Sequence, residues 1–392
     1  MDNTTMGNSN SVKKGRPMIV FGEDWGRHPS STQHLVNVLK LQRDIIWVNS
    51  IGLRKPRITW RDIKRVFSKV NSFFQKSSSK PLNRSKGAHQ FIVIDPLVMP
   101  CTNNALLLWV NRMLLKRQIS KALMHINRAN LLVWTSLPTA VDYIGLLGDS
   151  AHVYYCGDDF SALEGVDHKF VTTKEKKLVA LTKHVLTASK QLATKFPFAK
   201  TATISHGVDT ALFSQKFADW PYDLPKGKPI AGFYGSISAW LDQNIILESA
   251  QALPQWNFVL VGNIECDVSR LKALDNVYFI EAKAHQLLPN YIKNWQVAML
   301  PFFDNKQIEM CNPLKLKEYL ASGVSIASTN FNALDGYRHL VKVVKNSEPF
   351  YQTILRANIC NRKADIAARQ QSVANASWEQ RVEDIENIIN LY

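Results

Sequence analysis

The 392-residue chain carries 48 Lys and Arg against 32 Asp and Glu, a formal net charge of +16, with 46% hydrophobic and 20% charged residues. That length suits two domains with two full cores, and a mean hydropathy of -0.15 with 17 Gly and 16 Pro excludes collagen-like, low-complexity and wholly disordered chains. The charge is one-sided: residues 1–120 hold 20 Lys and Arg against 6 Asp and Glu. Such a field draws a polyanion or an anionic membrane surface, while a solubilising coat is the plainer alternative.

Cys101, Cys156, Cys266, Cys311 and Cys360 are scattered, odd in number and without CxxC or Cys/His spacing. A reduced, cytoplasmic setting without structural zinc is therefore expected. The opening MDNTTMGNSNSVKKGR has no apolar signal-peptide core, and the most apolar stretch, Ala105 to Leu115, is interrupted by Asn111 and Arg112, so no membrane span is expected.

In chain order, residues 1–16 read as a disordered leader, and PMIVFG (17–22) as a buried strand running into the polar loop EDWGRHPSS. A helix from Ser31 and the strand IIWVN complete a βαβ opening. The grammar repeats through FIVID (91–95), a helix from Ala105 to Ile126, LLVWTS (131–136), a short helix after Pro138, HVYYCG (152–157), the helical TTKEKKLVALTKH, the strand VLTAS and ATIS (202–205). Strands alternating with helices imply a parallel, doubly wound sheet over 17–216. FADWPYDLPKGKP (217–229), with three prolines and no regular period, reads as a linker.

The same grammar restarts over 230–362 with IAGFYGS, a helix over Gln243 to Ala252, WNFVLVG, VYFIE, a helix around His285 to Lys293, VAMLPF, a helix PLKLKEYLASG stopping at Gly323, VSIAST and LVKVV. Residues 363–392 read as one amphipathic helix long enough to cross between domains, with Ile366, Val373, Trp378, Val382, Ile385 and Ile389 near one face. Trp60, Ile63, Phe67, Val70 and Phe74 recur at helical spacing among Arg61, Lys64, Arg65 and Lys69, the pattern of an interfacial helix or of a core helix with a basic face.

Candidate chemistry gathers where strands end, since open α/β sheets bind ligands at their carboxyl edge. The first loop offers Trp25, Gly26, Arg27 and His28 on the acceptor side; it is not GxGxxG, and Ser30 or Ser31 either caps the next helix or touches ligand. Asp158 and Asp159 follow the strand HVYYCG, where a carboxylate can deprotonate an acceptor hydroxyl or merely cap the next element. No third ligand is spaced to make them a metal site. His206 and Gly207 stand at the hinge, where a histidine can donate to a phosphate or hydroxyl. Beyond the linker, Gly235 and Ser236 suit close approach of backbone to phosphate. The run Asn312, Pro313, Leu314 and Lys315 opens a helix whose N–H groups and dipole suit a diphosphate, and Glu318 suits a ribose diol.

These segments together resemble the GT-B nucleotide-sugar glycosyltransferases, especially bacterial group 1 enzymes of exopolysaccharide, capsule and teichuronic-acid assembly, from Met18 onward. YYCGDDF, ISHGVDTALF, FYGSISAWLD, NPLKLKEYLASG and Ser377-Trp378-Glu379 carry the resemblance. It implies an α/β GT-B fold, two Rossmann-like domains facing across a cleft with a C-terminal helix crossing between them, and a metal-independent glycosyltransferase needing no cofactor. It also implies a nucleotide-diphospho-sugar donor and a polyprenyl-diphosphate-linked acceptor at the inner leaflet of the plasma membrane. By the same resemblance, Glu318 matches the ribose-binding glutamate, Asn312 to Lys315 the loop against the donor diphosphate and sugar, and Gly235 and Ser236 the phosphate-facing turn. Asp158 is similar to the acceptor-activating aspartate of xanthan-type glucuronosyltransferases, and His206 to the residue preceding GVD near the donor. Two departures stand out: the first glutamate of the paired-glutamate motif is replaced by Met310, with Glu309 one position out of step, and SISAWLD stands where an Arg/Lys pair often follows Gly235. A two-domain binding protein without chemistry and a GT-B nucleotide-sugar epimerase are the alternative functions. No recognisable motif supports nucleic-acid binding.

Overall fold

A computed structural model describes residues 15–27, 30–51, 89–98, 104–126, 130–146, 148, 151–163, 166–215, 219–345 and 348–389. The strands of the first domain are β1 (Met18–Phe21), β2 (Ile45–Val48), β3 (Phe91–Ile94), β4 (Leu132–Thr135), β5 (Ala151–Cys156), β6 (His184–Thr187) and β7 (Thr201–Thr203). They form one parallel sheet in the order β3-β2-β1-β4-β5-β6-β7. Those of the second are β8 (Ile230–Tyr234), β9 (Asn257–Val261), β10 (Val277–Ile280), β11 (Val297–Leu300), β12 (Ser325–Ser328) and β13 (Lys342–Val343), parallel in the order β10-β9-β8-β11-β12-β13. Each sheet reverses direction of growth beside its first strand, which leaves a crevice at the carboxyl edge.

The strand sequences explain this arrangement. MIVF, IIWV and VAML are apolar at every position, and LVWT at all but Thr135, because helices cover both faces, and each is buried throughout. Helices of eight residues or more are numbered α1 (Ser31–Leu39), α2 (Ala105–Ala122), α3 (His168–Leu181), α4 (Gln243–Ala252), α5 (Leu314–Ser322), α6 (Phe350–Asn358), α7 (Lys363–Ser372) and α8 (Trp378–Ile389). Ser30 caps α1 by accepting from the Gln33 N–H at 3.2 Å, and Gly323 ends α5 in the left-handed region at φ 78°.

One face of the first sheet packs on α1 and the other on Leu115 and Ile119 of α2. The linker is anchored to the second domain: Leu224 joins its core, and Asp223 pairs with Lys283 at 2.7 Å and accepts from the Tyr291 hydroxyl at 2.8 Å.

Two expectations change. The terminal stretch is two helices, not one, because Val373 is buried in the second core while Trp378, Val382, Ile385 and Ile389 are buried in the first. The chain leaves the helix at Val373 and restarts at Trp378, so only α8 crosses, packing against α1 with Arg43 and Glu386 paired beneath it. Gly15 and Arg16, placed in the leader by sequence, are held against the first domain through the carbonyls of Gln42 (3.3 Å) and Asn130 (2.7 Å). The expected interfacial helix Trp60 to Phe74 and His28 lie outside the described residues. Among the described residues no helix is long and apolar enough to cross a membrane.

Candidate active site

The two carboxyl edges meet at a narrow junction. From the first domain the Ser189 hydroxyl donates to the Met310 carbonyl at 2.7 Å, and the Asn312 amide of the second donates to the Ala188 carbonyl at 2.7 Å. Asn312 thereby ties its loop to the opposite domain.

On the second domain, β8 ends in a turn that only glycine permits: Gly235 has φ 130°, and a Cβ there would collide with the Lys315 side chain. Gly262, at the end of neighbouring β9, has φ 151° and a Cβ on it would strike the Gly235 carbonyl. The two backbones therefore touch, and Lys315 lies across Gly235. Its ammonium sits 5.2 Å from the Trp240 ring centroid and 5.6 Å from that of Phe233. Burial lowers the Lys315 pKa, although Glu318, Cys311 and Asp158 oppose the shift. Helix α5 starts at Leu314, one residue later than the sequence suggests, with Pro313 in the capping position and no side chain satisfying its first N–H groups. Lys315, in the first turn of this helix, reaches back over the Gly235 turn, and an uncapped helix N-terminus with a lysine beside it suits an anion. Ser236 donates to Glu265 at 2.9 Å.

One turn into α5, Glu318 is buried at 6% exposure, with one carboxylate oxygen 2.6 Å from His285 Nε2 and the other accepting from the Tyr234 hydroxyl. Burial alone would raise its pKa, but the hydrogen bonds and charge of His285, with Tyr234 and Lys315, hold it below the usual range. His285 is raised in turn, because the bond to Glu318 outweighs burial. Each carboxylate oxygen keeps a lone pair for a further donor.

Across the cleft, the adjacent aspartates separate. Asp159 is buried and committed: it accepts from the Ser161 N–H at 3.0 Å and the Ser161 hydroxyl at 2.6 Å, and pairs with Lys195. Despite burial, these partners lower its pKa. Asp158 is exposed two residues beyond the end of β5, where desolvation of its carboxyl raises the pKa, Lys315 opposing the rise and Asp159 adding to it. An accessible carboxyl with a raised pKa, facing the lysine of the opposite domain, is what a general base requires.

His206 is buried at the hinge, its Nδ1 2.7 Å from the Ser31 hydroxyl and 3.2 Å from that of Tyr155. Burial first, then Lys317 and His34, lowers its pKa to about 3, so the ring is neutral. Ser31 therefore bonds the hinge while Ser30 supplies the cap. Lys317 of α5 donates to the Ser205 hydroxyl at 3.1 Å and to the His206 carbonyl, joining the two domains. A Cβ on Gly207 would lie 2.6 Å from the Trp378 ring, so glycine is needed for α8 to dock.

Two further residues enter the cleft that sequence reasoning missed, His34 and His285. The His34 ring stacks on Trp378 at 4.7 Å with an interplanar angle of 4°, and lies 5.2 Å from His285. Burial, with His285 adding, lowers the His34 pKa to about 4. A lone histidine in a helix carries no signal in one sequence. In the first loop, Trp25 is a packing residue, 4.8 Å from Trp47 and 4.6 Å from Phe91 between ring centroids. Gly26 donates to Gln33 at 3.1 Å, and Arg27 is exposed, 3.9 Å from Asp24. Asp158, Gly235, Lys315 and Glu318 are thus brought to one cleft, while Arg27 points to solvent. Among the described residues no group of three or more His, Cys, Asp or Glu is placed to hold a metal ion.

No family model matches the chain. The curated Bacillus subtilis (strain 168) protein named "Putative teichuronic acid biosynthesis glycosyltransferase TuaH" is 29% identical over 137 residues, 33% of this chain and 34% of that protein. The match therefore spans about a third of that relative's length. Among solved structures, Anabaena HepE in complex with UDP and glucose superimposes with a TM-score of 0.64 at 12% identity, over 96% of this chain and 99% of that one. Sucrose-phosphate synthase from Thermosynechococcus elongatus gives 0.66 at 14% identity, over 96% and 98%. The E. coli structure described as trehalose-6-phosphate bound with UDP-2-fluoro glucose gives 0.64 at 9% identity, over 96% and 99%. With its two parallel sheets, its cleft and its crossing helix, the chain has the GT-B glycosyltransferase fold.

Proposed function

We propose that the protein is a glycosyltransferase that moves a sugar from a nucleotide-diphospho-sugar to a lipid-linked saccharide in the assembly of a bacterial surface polysaccharide. The observation that carries this reading is the conjunction of the uncapped N-terminus of α5 with Lys315 over Gly235, and the exposed Asp158 of the other domain within reach of the Lys315 charge. In this scheme the diphosphate rests on the α5 N–H groups and Lys315, and Glu318 receives the ribose diol with His285 and Tyr234 fixing its carboxylate. Asp158 takes the acceptor proton as the acceptor oxygen attacks, the bond from sugar to diphosphate breaks, and the leaving charge is met by the helix N-terminus and Lys315 without a metal ion.

Asp159, paired with Lys195, holds the Asp158 turn, and neutral His206 holds the hinge through Ser31. The UDP and UDP-sugar bound by HepE and the E. coli neighbour support a nucleotide-sugar donor. The partial match to TuaH supports the polysaccharide setting. The basic excess in residues 1–120 supports an acceptor, a polyprenyl-diphosphate-linked sugar, at the cytoplasmic leaflet of the plasma membrane.

The test is nucleotide release from a panel of UDP-, GDP- and dTDP-sugars, with and without EDTA. Release from one donor that survives chelation is expected. No release from any donor would favour a binding protein, release only on chelator-free buffer would remove the metal-independent scheme, and interconversion of the sugar without acceptor would identify an epimerase.

A further inference from the structure

Helix α2 breaks the pattern that its position in the fold demands. Its inner face, through Leu115 and Ile119, packs on the first sheet, so its outer face should be polar. Instead Leu106 is 67% exposed, Trp109 57%, Met113 54%, and Met124 just beyond the helix 65%. The spacing of Leu106, Trp109 and Met113 puts them on one outward line. Around and beyond them Lys116, Arg117 and Lys121 are exposed, and α2 contains no Asp or Glu.

The helix follows β3, whose carboxyl end at Ile94 belongs to the cleft edge of the sheet, so Leu106 and Trp109 lie toward the rim of the proposed acceptor site.

We propose that this face of α2 docks the protein on an anionic lipid bilayer, with Leu106, Trp109 and Met113 entering the headgroup boundary and Lys116, Arg117 and Lys121 meeting lipid phosphates. An exposed indole beside uncovered thioether and leucyl side chains matches the amphipathic chemistry of a membrane interface. The cationic surround selects the occupant: an aliphatic protein partner has no need of it, whereas an acidic lipid surface complements it and the basic excess of residues 1–120. This deepens the lipid-linked acceptor reading, on which it rests, by assigning the surface that presents the cleft to the membrane, and it assigns that role to α2 in place of Trp60 to Phe74.

The experiment is flotation of the full chain with vesicles of phosphatidylglycerol and phosphatidylcholine against vesicles of phosphatidylcholine alone. Each cation is worth about fivefold in partitioning to an acidic surface, so K116Q/R117Q/K121Q should weaken binding roughly a hundredfold. W109S/M113S should weaken it about tenfold or more. Both sets replace exposed residues, and unchanged thermal melting confirms folding. Release of nucleotide with a water-soluble acceptor analogue is measured in parallel and should be unchanged, which separates failure of docking from failure of the transferase reading. Equal binding to both vesicle types, or unaltered binding by both variants, overturns the proposal. So does loss of binding only on changing Arg61, Lys64, Arg65 and Lys69, or a W109S/M113S variant that turns a dimer into a monomer while still floating.

Discussion

Lys317 allows a quantitative test of the domain junction. The residue is 3% exposed, and its amine donates to Ser205 and to the His206 carbonyl and is pushed by burial, with Arg381 adding, from the ordinary 10.5 to about 7. In the unfolded chain the amine stays protonated to its ordinary value. Below the folded pKa both states bind the proton, and the fold bears the full cost of a buried charge. Between the two values the unfolded state binds more protons than the native state, so stability rises with pH, with a limit of about 1.4 kcal/mol per unit. Integrating from about pH 7 to pH 9 gives roughly 2 kcal/mol gained by the native protein through this one group.

Lys317→Met keeps an unbranched side chain and deletes the titration. The measurement is scanning calorimetry of both proteins at half-unit steps over that window, scored as the difference between them so that other groups cancel. The native protein should gain roughly 2 kcal/mol on the variant as pH rises, and the variant should be relatively better at the acid end. Parallel curves would show that the hydrogen bonds the amine donates to the Ser205 hydroxyl and the His206 carbonyl keep it charged, and the account of the junction would be wrong.

Asp158→Asn should lower kcat by about two to four orders of magnitude while donor binding by calorimetry is unchanged. Loss of donor binding in that variant would make Asp158 a structural residue. In the native enzyme the acid limb of kcat should lie above the ordinary carboxylate range, because the cleft raises this carboxyl, and activity should fall as pH drops through it. Gly235→Ala places a Cβ against Lys315 at φ 130°. It should raise the donor KM about ten- to hundredfold, the worth of a charge-assisted contact of about 1.5–3 kcal/mol, with a smaller change in kcat. An unchanged KM would detach Lys315 from the donor diphosphate.

The sheets were legible because most strands buried on both faces are nearly uninterrupted apolar runs, and the turns that carry Asp158 and Gly235 follow those runs directly, while Lys315 is marked by the proline that opens α5. The break between Val373 and Trp378 was not, since neither Gly nor Pro marks it. Both halves keep a helical period, and only the division of Val373 and Trp378 between two cores reveals the gap. Asp158 and Asp159 are equivalent on paper and are told apart by Lys195, a residue on another element. His34 and His285 come from different domains, and their meeting over Trp378 and Glu318 is a product of tertiary assembly.

The docking of α8 also bears on the order in which this chain can reach its final state during synthesis. Trp378, Val382, Ile385 and Ile389 complete a core whose strands end with β7, so the first domain leaves the ribosome with an uncovered apolar flank. At about 5–20 residues per second, that flank waits roughly 10–40 s while the whole second domain is made. The two domains therefore mature as a pair, and a ribosome stalled after Gly323 would hold a nascent first domain exposed to chaperones or to aggregation.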